Sequence, residues 1–290
     1  MTVLEVIKRS TPFLAQKGVE SPRLQVELLL AHALKLPRLQ LYLNFERVLA
    51  DAELETLRTL VKRRGQREPL QHILGSVSFC GLELAVSSDV LIPRPETELL
   101  AERAWNFLNL NPSGSPGTQP AGYRALDFGT GSGCLAIAIA VKSSGARLVA
   151  LDVSAAALSV ARANAERHQV SDRLQFLESQ GFTALPEGSA FDLIVSNPPY
   201  IPSGDIAALP PEVRDHDPRL ALDGGADGLD FYRRLAAEAG AFLRPAGRMM
   251  LEFGDGQSET LRALLANAGW QVESVENDYS GRARILVLGR

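Results

Sequence analysis

The residues with the clearest chemical potential form the tetrapeptide Asn197-Pro198-Pro199-Tyr200, which directly follows the apolar run FDLIVS. Two consecutive prolines remove two backbone N–H donors, so this segment presents carbonyl groups only. The Asn197 side-chain oxygen and the Pro198 carbonyl are therefore predicted to accept the two N–H groups of a planar NH₂ substrate. Such a nitrogen has a delocalised lone pair, and orientation rather than a strong base makes it react.

Within this tetrapeptide, Asn197, Pro198 and Tyr200 are the candidate catalytic residues, and all four residues are candidate substrate-binding residues. Tyr200 is predicted to pack its ring on the flat substrate group. An amide nitrogen and an exocyclic base amine share the same planar geometry. The tetrapeptide alone therefore leaves open whether the substrate is a protein amide or a nucleic-acid base.

A second motif is the glycine-rich segment DFGTGSG at 127–133, which leads straight into CLAIAIAVK. Glycine allows a sharp turn and lets a ligand lie against the backbone. A dinucleotide fingerprint requires glycine at 134, where Cys134 stands. The observed G-x-G-x-G spacing instead favours an S-adenosylmethionine loop, in which the candidate cofactor-binding residues are Gly129, Thr130, Gly131, Ser132 and Gly133.

Asp152 stands at the end of the next apolar run, about 20 residues after the glycine loop. A carboxylate there can accept hydrogen bonds from both hydroxyls of a ribose, which it does better than a neutral group. The alternative is that Asp152 caps the helix that begins at Ser154. The two roles are compatible.

The elements that position these residues alternate between strand and helix after residue 124. Apolar strands separated by helices predict a parallel sheet with helices on both faces, and ligands bind at the carboxyl ends of such strands. The last residues, from Gln271, predict an antiparallel pair around a Ser280-Gly281 turn. The predicted strands are 125–129, 147–152, 173–179, 191–197 and 248–254, and the predicted helices include 154–168 and 229–243.

The first part of the chain has a helical pattern instead. Ser21-Pro22 predicts a helix start, with a capping hydroxyl followed by proline. Another helix is predicted from Asp51, and residues 76–92 predict short strands that turn at Gly81. The predicted domains are a helical substrate-recognition domain at 1–75, a β-hairpin linker at 76–93 and an α/β domain at 94–290. The last begins with a helix over 95–108, followed by a Pro/Gly/Ser-rich loop at 109–122.

Composition excludes several classes of protein. The net charge is −4 with 22% charged residues, which disfavours a protein that grips the nucleic-acid backbone. Two cysteines and four scattered histidines indicate neither a disulfide framework nor a metal site, and a reducing cytoplasm is expected. No apolar run is long enough to suggest a membrane span. The basic cluster at Lys62, Arg63, Arg64 and Arg67 is interpreted as a solvated helix face, with contact to RNA or an acidic partner as the alternative.

Over nearly its full length the chain resembles the HemK/PrmC family of release factor N(5)-glutamine methyltransferases. The resemblance rests on the stretch REPLQHILGSVSFCGLELAVSSDVLIPRPETELL (67–100), LDFGTGSG, NPPY, DPRLALDGGADGLDFYR (217–233), LEFGDGQ (251–257) and the ending DYSGRARILVLGR. It implies a helical N-terminal domain and a class I, Rossmann-like methyltransferase domain. That domain has a mostly parallel seven-stranded sheet with an antiparallel C-terminal hairpin.

The resemblance also implies an activity. The expected reaction transfers a methyl group from S-adenosyl-L-methionine to the glutamine of the GGQ tripeptide in a peptide chain release factor. The stretch Arg94-Pro95-Glu96-Thr97-Glu98 favours the release factor over a ribosomal protein, although its acidic first turn also suits a helix start. Where the family often has an acidic residue and then tryptophan near the adenine, this chain has Gln180-Gly181-Phe182. Gly181 and Phe182, together with Asn197, complete the expected cofactor contacts.

Other functions remain open at this point. Methylation of another protein glutamine, or of an exocyclic base amine in nucleic acid, would use the same tetrapeptide. An NAD-dependent oxidoreductase is disfavoured by the glycine spacing. A nucleoside-binding protein without catalysis is disfavoured by the intact tetrapeptide.

Overall fold

The computed structural model of the protein describes residues 1–110 and 124–290. The helices in this part are α1 (Val3–Gln16), α2 (Pro22–Leu34), α3 (Arg38–Leu43), α4 (Asp51–Gly65), α5 (Leu70–Leu74), α6 (Pro95–Leu110), α7 (Cys134–Lys142), α8 (Ala155–Arg167), α9 (Pro211–Arg214), α10 (Asp230–Glu238) and α11 (Ser258–Asn267). The strands are β1 (Ser76–Phe79), β2 (Leu82–Ala85), β3 (Arg124–Phe128), β4 (Arg147–Asp152), β5 (Leu174–Glu178), β6 (Phe191–Ser196), β7 (Leu243–Glu252), β8 (Gln271–Asn277) and β9 (Ala283–Gly289). None of the helices in these ranges is long and apolar enough to cross a membrane.

Residues 1–76 and 209–216 form a compact helical unit. Its core consists of apolar side chains from α1, α2 and α4, with Val6, Leu30 and Leu57 at most 3% exposed. Burying each such side chain contributes about 1.5–3 kcal/mol. The amphipathic spacing of these helices therefore determines which of their faces meet.

Helix α2 begins at Pro22, as predicted, but the expected capping hydroxyl is wrong. The Ser21 side chain makes no hydrogen bond to the helix, and its backbone is left-handed, with φ 47°. A capping side chain reaches the first-turn N–H groups from an extended backbone. The left-handed conformation turns the Ser21 hydroxyl away from them.

The basic cluster at the end of α4 is largely neutralised within the helical unit. Arg64 and Arg67 both donate to Glu212, at 2.8 and 2.6 Å, and Arg63 pairs with Glu68 at 2.5 Å. Arg64 is itself only 3% exposed. The interpretation as a solvated helix face is therefore wrong for Arg64, whereas Arg63 and Arg67 are partly exposed and each has a carboxylate partner inside the unit.

Residues 77–208 and 217–290 form a second unit around a seven-stranded sheet of order β5-β4-β3-β6-β7-β9-β8. The first five strands in that order pair in parallel, and β9 runs antiparallel to both β7 and β8. The predicted sheet is confirmed. Its central strand β6 is buried at every position, because helices cover both faces.

The two faces of the sheet have separate cores. Leu100 of α6 and Ile137 of α7 belong to the core on one face. Tyr232 of α10 and Leu261 of α11 belong to the core on the other. The alternation of strand and helix in the sequence thus produces a three-layer unit.

The hairpin of β1 and β2 turns at Cys80 and Gly81, which both have positive φ. Residues 86–92 form no strand, although a β-like run was expected there. The backbone of Ala85 is instead held by the buried Asn164 of α8, which accepts its N–H at 2.7 Å and donates to its carbonyl at 3.0 Å. Beyond Leu110, the loop predicted at 109–122 lies outside the described residues.

The shared partner of Arg64 and Arg67 predicts a measurable loss of stability. Burial alone raises the pKa of Glu212, but the hydrogen bonds from Arg67 and Arg64 outweigh it and lower the pKa to about 2. Glu212→Gln is expected to reduce the free energy of unfolding at pH 7 by about 3 kcal/mol, because it leaves a buried arginine without its counter-charge. In the wild type this contribution is lost as the pH falls from the ordinary glutamate range towards 2.

Urea unfolding followed by circular dichroism measures this effect. Glu55→Gln is the matched control, since Glu55 pairs with Arg58 in the same unit while 71% of its side chain is exposed. That variant is expected to change stability by less than about 1 kcal/mol. Equal unfolding midpoints for the two variants would refute the prediction.

Candidate functional site

The carboxyl ends of β3, β4 and β6 meet at one edge of the sheet. Phe128 is in register with Leu151 of β4, and Asp127 with Val195 of β6. The N–H groups of Gly129 and Thr130 both donate to the Leu151 carbonyl, at 2.9 and 2.8 Å. These contacts bring the glycine loop, Asp152 and the tetrapeptide 197–200 to the same edge, as the sequence predicts for parallel strands.

The glycines of the loop have different physical roles. Gly129 and Gly131 have φ values of 75° and 54°, and a Cβ at either position would meet nothing within 4 Å. No side chain therefore covers the backbone at these two positions, and a ligand can approach it. At Gly133, in contrast, a Cβ would lie 2.9 Å from Ile137 and 3.1 Å from the Ala161 methyl, so this glycine allows close packing of the helices.

The loop is held from beneath by the buried carboxyl of Asp127. Its Oδ2 accepts hydrogen bonds from the Thr130 hydroxyl at 2.6 Å and from the Ala136 N–H at 3.2 Å. Burial raises the pKa of Asp127 to about 7, although both hydrogen bonds act in the opposite direction. Such a group costs folding free energy and is typical of functional sites.

Asp152 lies beside the glycine loop, but the alternative expectation that it caps α8 is wrong. Its Oδ2 accepts the Gly131 N–H at 2.8 Å, and its Oδ1 accepts the Ser154 N–H at 2.9 Å. The cap of α8 itself is the Ser154 hydroxyl, which accepts from the Ala157 N–H. A carboxylate oxygen has room for a further donor, so these backbone contacts orient Asp152 without saturating it.

These residues surround a cavity of about 380 Å³, a size typical of small-molecule sites. Among the residues predicted to bind a cofactor or substrate, its wall contains Gly129, Thr130, Gly131, Ser132, Asp152, Gly181, Asn197 and Pro199, whereas Gly133, Phe182, Pro198 and Tyr200 lie outside the wall.

The position of the Phe182 ring does not support the expected contact with a nucleoside. The ring is 4% exposed, stacks on Phe242 at 5.0 Å and tilts against Phe128 at 4.8 Å. It therefore belongs to the core beneath the cavity. Gln180 and Gly181 reach the wall instead, and Gly181 has a positive φ of 72°.

Asn197 is placed at the cavity with one end of its amide already occupied. Its Nδ2 donates to the hydroxyl of Thr97, on α6, at 3.0 Å. Both residues line the cavity. Since the nitrogen end is bound to the protein, the oxygen Oδ1 is the end left to accept a hydrogen bond from a substrate.

The backbone that follows Asn197 is fixed by close contacts. The Gln257 side chain accepts the Gly254 N–H and donates to the Tyr200 carbonyl, both at 2.9 Å. A Cβ at Gly224 would lie 2.8 Å from the Pro199 carbonyl oxygen, and one at Gly228 only 2.3 Å from that of Tyr200. These two glycines belong to the quoted stretch 217–233, and their closeness is a physical reason for glycine there.

Pro198 and Tyr200 are not among the residues that line the cavity. Pro198 is buried, whereas Tyr200 is partly exposed and packs against the same core as Phe253. Burial raises the pKa of the Tyr200 hydroxyl to about 12, with a further contribution from Glu252. Tyr200 therefore stays protonated at neutral pH.

Several wall residues were not assigned a role from the sequence. Arg94 lines the cavity and pairs with Asp217 at 2.5 Å, and Arg234 lies beside Gly181. The RPETE stretch at 94–98 drew attention to Arg94 and Thr97, but it could also be explained as the start of a helix. Further wall residues that were missed include Asp89, Val90, Leu91, Pro93, Leu220, Ala221 and Phe231.

No group of His, Cys, Asp or Glu residues suited to hold a metal ion occurs in the described ranges. The polar groups at the cavity are backbone N–H groups, hydroxyls, two carboxyl groups, the amides of Gln180 and Asn197, and the guanidinium groups of Arg94 and Arg234. Such an arrangement can bind a nucleoside and orient a neutral NH₂ group. It contains no histidine or lysine placed to remove a proton.

Comparisons with known proteins agree with this geometry. Residues 5–75 match the family model "PrmC N-terminal domain", and residues 117–208 match "Methyltransferase small domain". The chain is 44% identical to the release factor glutamine methyltransferase of Geobacter sulfurreducens, over 98% of this chain and 95% of that protein. It is also 44% identical to that of Chlorobaculum tepidum, over 96% and 94%. Among solved structures, the ribosomal protein L11 methylase of Lactobacillus delbrueckii subsp. bulgaricus has the same fold, with a TM-score of 0.50, 19% identity and coverage of 71% and 83%.

The placement of Asp152 predicts a specific loss of nucleoside binding. Asp152→Asn is expected to weaken binding of S-adenosylhomocysteine about tenfold, because a neutral amide accepts hydrogen bonds from ribose hydroxyls less strongly than a carboxylate does. Isothermal titration calorimetry measures the change. Glu178→Gln is the matched control, since Glu178 is in register with Asp152 on β5 but is exposed and outside the cavity wall. Equal affinities for both variants would contradict the assignment.

Proposed function

We propose that this chain, which belongs to the release factor glutamine methyltransferase family, transfers a methyl group from S-adenosylmethionine to the side-chain nitrogen of a glutamine in a release factor. The observation that carries this proposal is the fixed amide of Asn197. Its nitrogen is bound to Thr97, and its oxygen is left for a substrate beside the glycine-loop cavity. An acceptor at that point suits a substrate that brings two N–H donors.

The residues of the cavity fit S-adenosylmethionine. Bare backbone at Gly129 and Gly131 leaves room for the cofactor, and Asp152 is oriented to accept from its ribose. Thr130, Ser132, Gly181 and Asn197 complete the proposed binding residues, with Gly133 and Phe182 supporting them from the core. When bound, S-adenosylmethionine supplies a methyl group activated by a sulfonium centre.

The tetrapeptide is proposed to orient the substrate nitrogen. Asn197 Oδ1 and the Pro198 carbonyl each accept one N–H of the glutamine amide, which turns the nitrogen lone pair towards the cavity. Pro199 limits the backbone to this shape, and Tyr200 covers the flat amide with its ring. The orientation and the fixed dipoles supply the rate enhancement.

No strong base is needed for this reaction. S-adenosylmethionine, held by the glycine loop and Asp152, would supply the methyl group, and the substrate nitrogen that receives it would become cationic. A cationic amide nitrogen loses its proton readily to water. Carboxyl groups that line the cavity, such as that of Asp152, favour this transient positive charge.

The helical unit is proposed to bind the release factor, and the GGQ tripeptide is the proposed target within it. In support, the helical unit exposes large apolar side chains around α3, with Leu39, Leu43 and Val48 between 70% and 85% exposed. Exposed apolar side chains that lie together on a surface favour contact with a protein. A cytoplasmic location would follow from a substrate in translation.

Mass spectrometry of a purified release factor, incubated with the enzyme and S-adenosylmethionine, tests the function. One added methyl group on the GGQ glutamine is expected, and none on a release factor in which that glutamine is replaced by alanine. Methylation of the alanine variant at another glutamine, or of RNA in place of protein, would reject the proposal in favour of its alternatives.

The role of Asn197 predicts a separation of binding from catalysis. Asn197→Ala is expected to lower kcat about 100-fold or more, the effect of removing one preorganised polar group at a reacting centre. The affinity for S-adenosylhomocysteine should fall far less than kcat, because the glycine loop and Asp152 keep most of the proposed cofactor contacts. Initial rates with the release factor, together with calorimetry, measure both quantities. A near-normal kcat would refute the role of Asn197.

A further inference from the structure

We propose that Glu252 is a positioning residue whose carboxylate, acting through the Thr97 hydroxyl, holds the Asn197 amide with its oxygen towards the cavity. The inference rests on the proposed function of Asn197. It adds two residues, Glu252 and Thr97, that do not touch the reacting atoms but determine which end of the amide meets the substrate.

The fold places Glu252 directly behind Asn197. Ser196, the last residue of β6, is in register with Leu251 of β7. The residues that follow them, Asn197 and Glu252, are therefore neighbours at the carboxyl edge of the sheet. Glu252 is only 2% exposed. Its backbone is fixed by the buried Tyr232 hydroxyl, which donates to the Glu252 carbonyl at 2.8 Å.

The hydrogen bonds run in one direction from the amide to the carboxylate. Asn197 Nδ2 donates to Thr97 Oγ1 at 3.0 Å, which leaves the hydroxyl proton of Thr97 free to be donated onward. Burial raises the pKa of the Glu252 carboxyl, and hydrogen bonding from Thr97 and from Asn197 acts in the opposite direction. An ionised carboxylate only accepts hydrogen bonds. It therefore requires the Asn197 amide to direct its nitrogen towards Thr97, which leaves the oxygen towards the cavity.

This polarity matters because an asparagine amide has both a donor end and an acceptor end. A reversed amide would present its NH₂ to the substrate NH₂, and two donors cannot hydrogen-bond to each other. The Pro198 carbonyl cannot reverse in the same way. Asn197 is therefore the one member of the acceptor pair whose orientation needs support from a neighbouring group.

The position of Glu252 is costly for the fold, as expected for a group kept for function. Burial raises the pKa of Glu252 to about 7, against hydrogen bonding from Thr97 and the charge of Arg284. Because the folded pKa lies above the ordinary value, this group makes stability fall as the pH rises from about 4.5 to 7. One carboxylate oxygen, Oε2, has no hydrogen-bond partner among the described residues.

The ionised form of Glu252 can only accept from Thr97, whereas the protonated form can also donate and so no longer fixes the direction of the hydrogen bonds. The turnover rate should therefore rise as the pH increases through about 7. The charged and titratable groups that face this carboxyl from the neighbouring elements are Arg284 of β9, Glu96 of α6, Tyr200 after β6 and Tyr232 of α10. Both tyrosines have a pKa raised by burial, and so do not titrate in the same range.

The test compares Glu252→Gln, Thr97→Val and Thr97→Ser with the wild type on a purified release factor. The measured quantities are kcat at several pH values, the dissociation constant for S-adenosylhomocysteine, and the melting temperature at pH 8. Glu273→Gln is the control, since Glu273 pairs with Arg248 on an exposed part of the sheet and is expected to leave all three quantities unchanged.

Glu252→Gln and Thr97→Val should each lower kcat by about 10- to 100-fold, in line with the cost of a misplaced catalytic group. Both should keep the dissociation constant within about twofold of the wild type, a change of under 1 kcal/mol. The rise of kcat near pH 7 should disappear in Glu252→Gln. Its melting temperature at pH 8 should equal or exceed that of the wild type, because a buried charge has been removed. Thr97→Ser should retain most of the wild-type kcat.

Three results would overturn the inference. One is a wild-type kcat in Glu252→Gln. Another is a loss of kcat in that variant together with a melting temperature below that of the wild type, since this combination indicates a structural role. The third is a Thr97→Ser variant as slow as Thr97→Val. Failure of the wild type itself to methylate the release factor would instead reject the proposed function, so the two failures are distinguishable.

Discussion

Parallel pairing of β3 with β4 on one side and with β6 on the other assembles the candidate site. It places three strand ends at one edge, and so brings together residues up to 68 positions apart, as in the hydrogen bond from Ser196 Oγ to the Phe128 carbonyl. That bond, at 2.6 Å, joins the glycine loop to the tetrapeptide that follows β6. Without the pairing, neither motif would have a partner.

The edge of the sheet also concentrates carboxyl groups that a stable core would avoid. Asp127 and Glu252 are almost fully buried, and burial raises the pKa of each to about 7. Each lies under a functional segment, Asp127 beneath the glycine loop and Glu252 behind Asn197. The folding free energy lost by burying these groups is offset by the large apolar core on both faces of the sheet. A rigid scaffold thus supports a polar site.

Residues distant in sequence fix the backbone conformation of the tetrapeptide 197–200. Gln257 ties the Tyr200 carbonyl to the Gly254 N–H, and Gly224 and Gly228 let their loop approach the prolines closely. The prolines limit the conformations of the segment by themselves. The surrounding contacts select one of those conformations and hold it, which is what a site that works by orientation needs.

Local patterns along the chain were enough to predict the sheet and to select the glycine loop, Asp152 and the tetrapeptide as candidates, because strand–helix alternation, glycine spacing and consecutive prolines are visible without the fold. Those local patterns do not contain the contacts between residues distant in sequence, which form only in the folded chain. Phe182 turned out to pack in the core with Phe242, the arginines of α4 found Glu212, and Thr97 met Asn197 across 100 positions. Partners of this kind depend on which surfaces meet after folding, and no local pattern specifies the distant residue that will satisfy a buried donor, acceptor or charge.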